Sequence, residues 1–144
     1  MEEAKPKITV QVAVNAPVEH VWQCWTNAEA ITKWNNDSED WHTPYVDNNI
    51  KPGATFVWRM EAKDGSFGFD FSGVYDRVIV HKQLDYTLGD SRRVKVEFVD
   101  QGKTTIVVET FEAENQNSLE LQRVGWQAIL DNFKKYAESH GVDL

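Results

Sequence analysis

The sequence predicts an α+β fold in which a curved antiparallel sheet grips one long C-terminal helix. Three observations carry that reading. Asn117 to His140 is the long stretch with unbroken helical periodicity. Before it, from Trp41 onward, about seventy residues follow period two and are divided by tight turns. A further alternating stretch near the N-terminus is followed by two short helical segments. Strands joined by tight hairpins are antiparallel neighbours, and a sheet that carries Phe and Trp on one face needs helices to cover it.

Taken in order, residues 1–7 are polar and expected to be disordered. Ile8 to Val14 alternates, with Ile8, Val10, Val12 and Val14 on one face, which makes a strand. Asn15-Ala16-Pro17 then turns the chain into a short helix, with Pro17 in its first turn, where the missing N–H is harmless. Val18, Val21, Trp22 and Trp25 mark its buried face. Asn27 starts a second short helix, Ala28 to Trp34, anchored by Ile31 and Trp34, and Asn35 to Asp40 is a polar loop by composition.

Six strands follow. Trp41–Val46 leads to a turn at Pro52-Gly53, and Ala54–Ala62 places Phe56, Trp58 and Met60 on one face. Lys63-Asp64-Gly65 is a hairpin turn. The long strand Ser66–His81 puts Phe67, Phe69 and Phe71 on one face, and Gly73 within it points to a bulge or bend. Gln83–Leu88, Arg93–Val99 and Thr104–Ala113 complete the set, with turns at Gly89-Asp90 and Asp100-Gln101-Gly102. Ile106-Val107-Val108 is apolar on both faces, so pattern does not assign its parity.

In the last helix, Leu119, Trp126, Ile129, Leu130, Phe133 and Ala137 form the apolar face, with Tyr136 beside it. Gln122, Gln127, Asp131, Lys134, Lys135 and Glu138 point away. Asn117 or Ser118 caps the start, and Glu120 is spaced to reach back to Asn117. His140-Gly141 ends the helix, with Lys134 and Lys135 near the negative end of its dipole. Gly125 costs about 1 kcal/mol relative to alanine in a helix interior, which implies a packing reason beside Trp126 or a close approach to the backbone.

A chain of 144 residues fits one domain with a substantial core. The single cysteine, Cys24, excludes an internal disulfide. No signal peptide or membrane-length apolar run is visible, so the expected location is the cytoplasm. A net charge of −8 argues against nucleic acid and anionic membranes as partners. Six Trp, four Tyr and seven Phe are more than a core of this size requires and point to an apolar cavity or interface.

Three local sequences carry a resemblance: Ala16-Pro17-Val18-Glu19-His20-Val21-Trp22, Asp64-Gly65-Ser66-Phe67-Gly68-Phe69-Asp70-Phe71, and Gly125 through Tyr136. With the element order, they make the chain resemble the family of homologues of the heat-shock-chaperone ATPase activator. That family belongs to the START-like, helix-grip superfamily that includes the birch-pollen allergen. The resemblance implies a seven-stranded antiparallel sheet around the C-terminal helix, with two short helices between strands 1 and 2 and a cavity between sheet and helix. Superfamily relatives hold lipids, sterols, polyketides or plant hormones there, and a few catalyse cyclisation or hydrolysis. The eukaryotic namesake is a co-chaperone that also uses a separate N-terminal domain, for which this chain has no room. Single-domain members look like ligand-binding or stress-related proteins.

The candidate ligand-binding residues are Trp25, Trp41, Phe56, Trp58, Phe69, Phe71, Trp126, Ile129 and Phe133, which either line a pocket for a greasy ligand or pack the core against one another. Arg59, Asp70, Tyr75, Glu109 and His42 are the polar candidates for orienting a ligand. His20 and Cys24 share a helix face four residues apart, a spacing open to a thiolate nucleophile, but no third orienting residue is identifiable. The histidines at 20, 42, 81 and 140 have no metal-ligand spacing. No nucleophile elbow, phosphate loop or dinucleotide fingerprint occurs. Asn36-Asp37-Ser38 matches a glycosylation sequon without a secretion signal. The sequence therefore assigns no catalytic residue, metal or cofactor. Its leading expectation is a hydrophobic small molecule bound between sheet and helix. The alternatives are a co-chaperone-like module that meets a heat-shock chaperone, and a cyclase or hydrolase.

Overall fold

The period-two segments form one antiparallel sheet in the computed structural model, which describes residues 6–36 and 39–139. The strands are β1 (Lys7–Val14), β2 (Trp41–Asn48), β3 (Thr55–Ala62), β4 (Gly68–Ile79), β5 (Gln83–Leu88), β6 (Arg93–Asp100) and β7 (Thr105–Glu112). The helices are α1 (Val18–Thr26), α2 (Ala28–Trp34) and α3 (Leu119–Ser139). The sheet order is β1-β7-β6-β5-β4-β3-β2, so the six later strands form a meander and β1 closes beside the last of them. This is the expected α+β helix-grip arrangement, with the two short helices between β1 and β2. β1 begins at Lys7, inside the 1–7 stretch expected to lack order, and Ala113 N–H donates to Pro6 O.

Hydrophobic parity sets which face of the sheet turns inward. Phe56, Trp58 and Met60 of β3, Leu84, Tyr86 and Leu88 of β5, and Val94, Val96 and Phe98 of β6 are all buried. In β7 the inward row is Thr105, Val107, Glu109 and Phe111, which resolves the parity left open by Ile106-Val107-Val108. A carboxylic acid thus stands between Val107 and Phe111 on the inward face.

Several expectations are corrected. The bulge in β4 lies between Tyr75 and Arg77, not at Gly73. Gly73 is needed because a Cβ there would stand 2.4 Å from Thr87 O and 2.9 Å from the Phe56 ring. The long strand is also shorter than Ser66–His81: it starts at Gly68, because the Asp64 carboxylate holds Ser66 in the turn, accepting from its N–H at 2.8 Å, and left-handed backbone at His81 stops the extended run at the other end. Phe67 is 62 % exposed, so its face leaves the core before the hairpin tip. β2 extends to Asn48 with an irregularity between His42 and Tyr45, where Pro44 has no N–H to pair, an arrangement an edge strand tolerates.

In α3, Ser118 supplies the cap, accepting from Leu121 N–H at 3.1 Å. Glu120 does not reach back to Asn117; it pairs with Arg123, and Asn117 N–H donates to Glu114 instead. Leu119 is half exposed, because the helix starts beyond the edge of the core. Gln122, expected outside, is buried: its amide donates to the carbonyls of Glu114 and Asn117 and accepts from Glu114 N–H, tying down the turn that leads into the helix. The expected end at His140-Gly141 and two residues of the sequon, Asp37 and Ser38, lie outside the described residues.

The polar face of α3 explains where the helix sits. Gln127 Nε2 donates to Gln11 O, Lys134 Nζ donates to Ala13 O, and Glu138 accepts from Asn15 N–H at 2.8 Å. These side chains satisfy backbone groups on the free edge of β1, which would otherwise invite pairing with another strand. The helix therefore runs along β1 and stands off from the middle of the sheet, leaving its apolar face to span the gap. None of the described helices is long and apolar enough to cross a membrane.

Candidate functional site

The gap under α3 is filled at one end and open at the other. Toward the C-terminal half, Trp25, Trp34 and Phe133 form a knot with ring centroids 4.9–5.0 Å apart. Trp34 Nε1 donates to Cys24 O at 2.9 Å and locks α2 against α1. Toward the N-terminal half, Trp126 reaches down to stack on Phe111, and Phe71 meets its edge. Between the knot and this stack lies a cavity of about 430 Å³.

Of the nine predicted residues, Trp25, Trp41, Trp58, Phe69, Phe71, Trp126 and Ile129 stand on its wall. Phe56 and Phe133 do not; they are buried in the packed core on either side. The wall also includes residues not in the predicted set, among them Trp34, Met60, Tyr86, Leu121, Gln122 and Gly125. Met60 and Tyr86 carried a signal, since each shares its strand's inward parity. Gly125 carried one as well: a Cβ there would have nothing within 4 Å, so the glycine opens onto the cavity and not onto a neighbouring element. The exposed residues Phe69, Leu121 and Asn117 mark where the space meets solvent.

The polar candidates separate cleanly. Arg59 bridges Glu61 at 3.0 Å and Asp70 at 3.3 Å, and His42 lies 3.9 Å from Glu61, all on the outer face of the sheet. Their parity opposes that of Trp58 and Phe71, so they face away from the cavity. Tyr75 is buried but donates its hydroxyl to Asn48 Oδ1 at 2.5 Å, and burial raises its pKa. Glu109 alone of the five is on the cavity wall. Its carboxyl has no hydrogen-bond or ion-pair partner among the described residues, and burial pushes its pKa up to about 8. Tyr86, beside it on the wall, is driven upward by burial first and then by the proximity of Glu109.

Trp58 carries a second unsatisfied group: its indole Nε1–H has no acceptor among the described residues and almost no accessible surface of its own. An orphaned buried donor costs about 1–3 kcal/mol. Other polar wall residues are committed elsewhere: Asn35 to Thr43, Arg92 to Asp90 at 2.8 Å, and Glu114 to Asn117. The arrangement is an aromatic chamber with the Glu109 carboxyl and the Tyr86 ring together on its wall.

His20 and Cys24 do lie together, Nε2 to Sγ 3.6 Å, but the geometry does not make a nucleophile. His20 Nε2 also lies 2.8 Å from Ala137 O, a contact that requires it to donate, so the same nitrogen cannot take the thiol proton. Burial raises the Cys24 pKa to about 11, away from the thiolate. No group of three or more His, Cys, Asp or Glu side chains able to hold a metal occurs among the described residues.

The chain matches the family described as "Activator of Hsp90 ATPase homolog 1-like protein" over residues 15–138. It is similar to the AHSA1-like protein from Aeromonas hydrophila, with 40 % identity over 94 % of each chain and a TM-score of 0.89. Chr148 from Cytophaga hutchinsonii is 48 % identical over 93 % of each chain, with a TM-score of 0.81. Protein NE0264 from Nitrosomonas europaea shares the fold at 17 % identity and a TM-score of 0.80, covering 96 % of this chain and 98 % of its own. No curated protein matches the chain. The family match over nearly the whole chain and these two relatives, carried on a sheet that grips α3 in the manner described, make the protein a member of the AHSA1-like family.

Proposed function

We propose that this protein binds an apolar small molecule in the space between the sheet and α3. The observation that carries the reading is the cavity of about 430 Å³ walled by aromatic side chains, a volume within the usual range for small-molecule sites. Affinity comes from burying apolar area, at roughly 25 cal/mol per Å², while Glu109 on the wall sets orientation. Gly125 supports the same reading, since a helix gives up stability there and gains only open space on the cavity side.

Native mass spectrometry of protein purified from its own host, followed by denaturing extraction, tests this without presupposing a ligand. The expected result is a one-to-one complex with an apolar molecule of lipid, sterol or polyketide character. An empty protein that no member of a panel of lipids, sterols and flavonoids stabilises would overturn it.

A second reading, a co-chaperone-like module, is favoured by the family's description and by Leu119, Leu121 and Val124, each at least half exposed on α3. Stimulation of a heat-shock chaperone ATPase by the intact chain, undiminished when the cavity is blocked, would favour it over ligand binding.

A further inference from the structure

The charge that the chamber wall carries restricts the occupant further, and the inference that follows rests on the ligand-binding reading. Glu109 stands on the inward row of β7 between Val107 and Phe111. Its ladder partners are Val10 of β1 and Val96 of β6, both buried, so neither neighbouring strand gives the carboxyl a polar contact. Trp58 Nε1 is sealed as well as unpartnered, whereas the unpartnered Glu109 carboxyl and Tyr86 hydroxyl keep some surface, and both residues stand on the chamber wall. Tyr86 lies opposite Val94, and Val94 opposite Phe111. The Tyr86 ring and the Phe111–Trp126 stack therefore flank the wall one pleat from Glu109, about 7 Å along the strand. The other charges at the wall are Arg92, in the turn before β6, and Glu114, in the loop before α3. Arg92 is neutralised by Asp90 at 2.8 Å, while Glu114 accepts from the Asn117 N–H and side-chain amide and keeps its charge. The residues that the three helices and β2, β3 and β4 place on the wall carry no ionisable group. The charges left over at the wall are thus two acids.

We propose that the chamber takes an organic ammonium ion, an apolar or aromatic body with one protonated amine that donates to the Glu109 carboxylate and lies among the aromatic rings of the wall. An ammonium group is donor-only, and the Tyr86 hydroxyl oxygen offers it a second acceptor. A cation over a Trp or Tyr face is attracted by the ring quadrupole, more strongly where water is excluded. A carboxylate of the same size would meet two acids and no unpaired cation among the described wall residues. A pure hydrocarbon would leave Glu109 unpaired in apolar surroundings. The net charge of −8 draws cations toward the protein in the first place. Without a partner, burial keeps Glu109 protonated up to about pH 8. The arriving ammonium keeps its own protons and stabilises the carboxylate, so the Glu109 proton leaves to solvent and binding is coupled to its release.

Four naphthalenes of similar size serve as probes: the cation of 1-(2-naphthyl)ethylamine, its uncharged isostere 2-isopropylnaphthalene, the ketone 2-acetylnaphthalene, and 2-naphthoate. Dissociation constants are read from tryptophan fluorescence at pH 6, 7 and 8, where the amine stays protonated. At pH 8 the amine should bind about tenfold tighter than 2-isopropylnaphthalene, the worth of a hydrogen bond to a charged group, and naphthoate should be weakest. From pH 7 to pH 6 the amine should weaken about tenfold, because Glu109 must give up its proton, while the two neutral probes hold steady. Calorimetry of the amine at pH 7, in buffers of different protonation enthalpy, should find about one proton released per molecule bound. Glu109→Gln, which keeps the size and removes the charge, should abolish the amine's advantage, its pH slope and the proton release. Tyr86→Phe should cut the advantage about threefold. An amine no tighter than the hydrocarbon, an advantage that survives Glu109→Gln, or naphthoate binding best would overturn the ammonium assignment while leaving an apolar site in place. Failure of all four probes to bind would instead sink the apolar-site reading and this inference with it.

Discussion

Trp126 stacks on Phe111 with ring centroids 3.8 Å apart and planes 10° from parallel. This contact joins α3 to β7 at the point where the helix stands off from the sheet. One side of it is core, and the other is the chamber whose wall Glu109 shares, two residues before Phe111 on the same strand face. The stack therefore sets how far α3 stands from β7 beside the chamber.

The first prediction concerns that acid. Glu109 has a folded-state pKa of about 8, against an ordinary value of 4.5. The folded protein binds the proton more tightly than the unfolded chain, so its contribution is fully present below pH 4.5 and is lost as pH rises toward 8. The slope is about 1.4 kcal/mol per pH unit for one such group. Glu109→Gln should gain on the wild type across this window, by about 3 kcal/mol at pH 7, and match it near pH 4.5. Urea unfolding at a series of pH values checks this; parallel stability profiles for the two proteins would contradict it.

Gly125→Ala should raise stability and lower ligand affinity together. The helix gains about 1 kcal/mol from the better helix former, and the new methyl group meets no protein atom within 4 Å. It does enter the chamber. Thermal unfolding and ligand titration on the same sample separate the two effects, and an unchanged affinity would mean that the ligand does not approach the helix backbone.

Gly73→Ala makes the opposite case. Its Cβ would collide with the Thr87 carbonyl and the Phe56 ring, neither of which is a flexible side-chain end. A loss of about 2–3 kcal/mol is expected from such overpacking, measured by denaturant unfolding.

The division between core and wall gives a fourth prediction. Phe133→Ala should cost about 3–5 kcal/mol, the usual price of emptying a buried aromatic site, because it removes the hub of the Trp25–Trp34 knot. Phe69→Ala, at a partly exposed position on the rim, should cost less than about 1 kcal/mol and weaken binding of 2-acetylnaphthalene. Equal stability losses would erase the distinction.

The fold was legible because its signals are local and periodic. Alternation in β1, β3, β5 and β6 and the spacing of Trp126, Ile129, Leu130 and Phe133 fix both element type and buried face. The candidate site was legible in part. Period two placed Trp58 on the inward face, and helical spacing aimed Trp126 at the sheet. What sequence could not supply was depth: Phe56 and Trp58 share a face, yet one packs the core and the other borders the chamber. The parity of β7 was hidden by three consecutive apolar residues, and with it the inward aim of Glu109. Gln122 read as a surface residue because its role depends on backbone carbonyls in the preceding turn, which no periodicity encodes.

Whether the chamber under α3 takes an apolar ligand is read most directly by NMR, following assigned amide and indole signals of isotope-labelled protein during titration with 2-acetylnaphthalene. Binding in the chamber should give saturable shifts at the Trp25, Trp58 and Trp126 indole N–H signals and the Gly125 amide, with the outer-face amides of Arg59 and Asp70 unmoved. Shifts confined to the outer face, or to the exposed Leu119–Val124 side of α3, would contradict it.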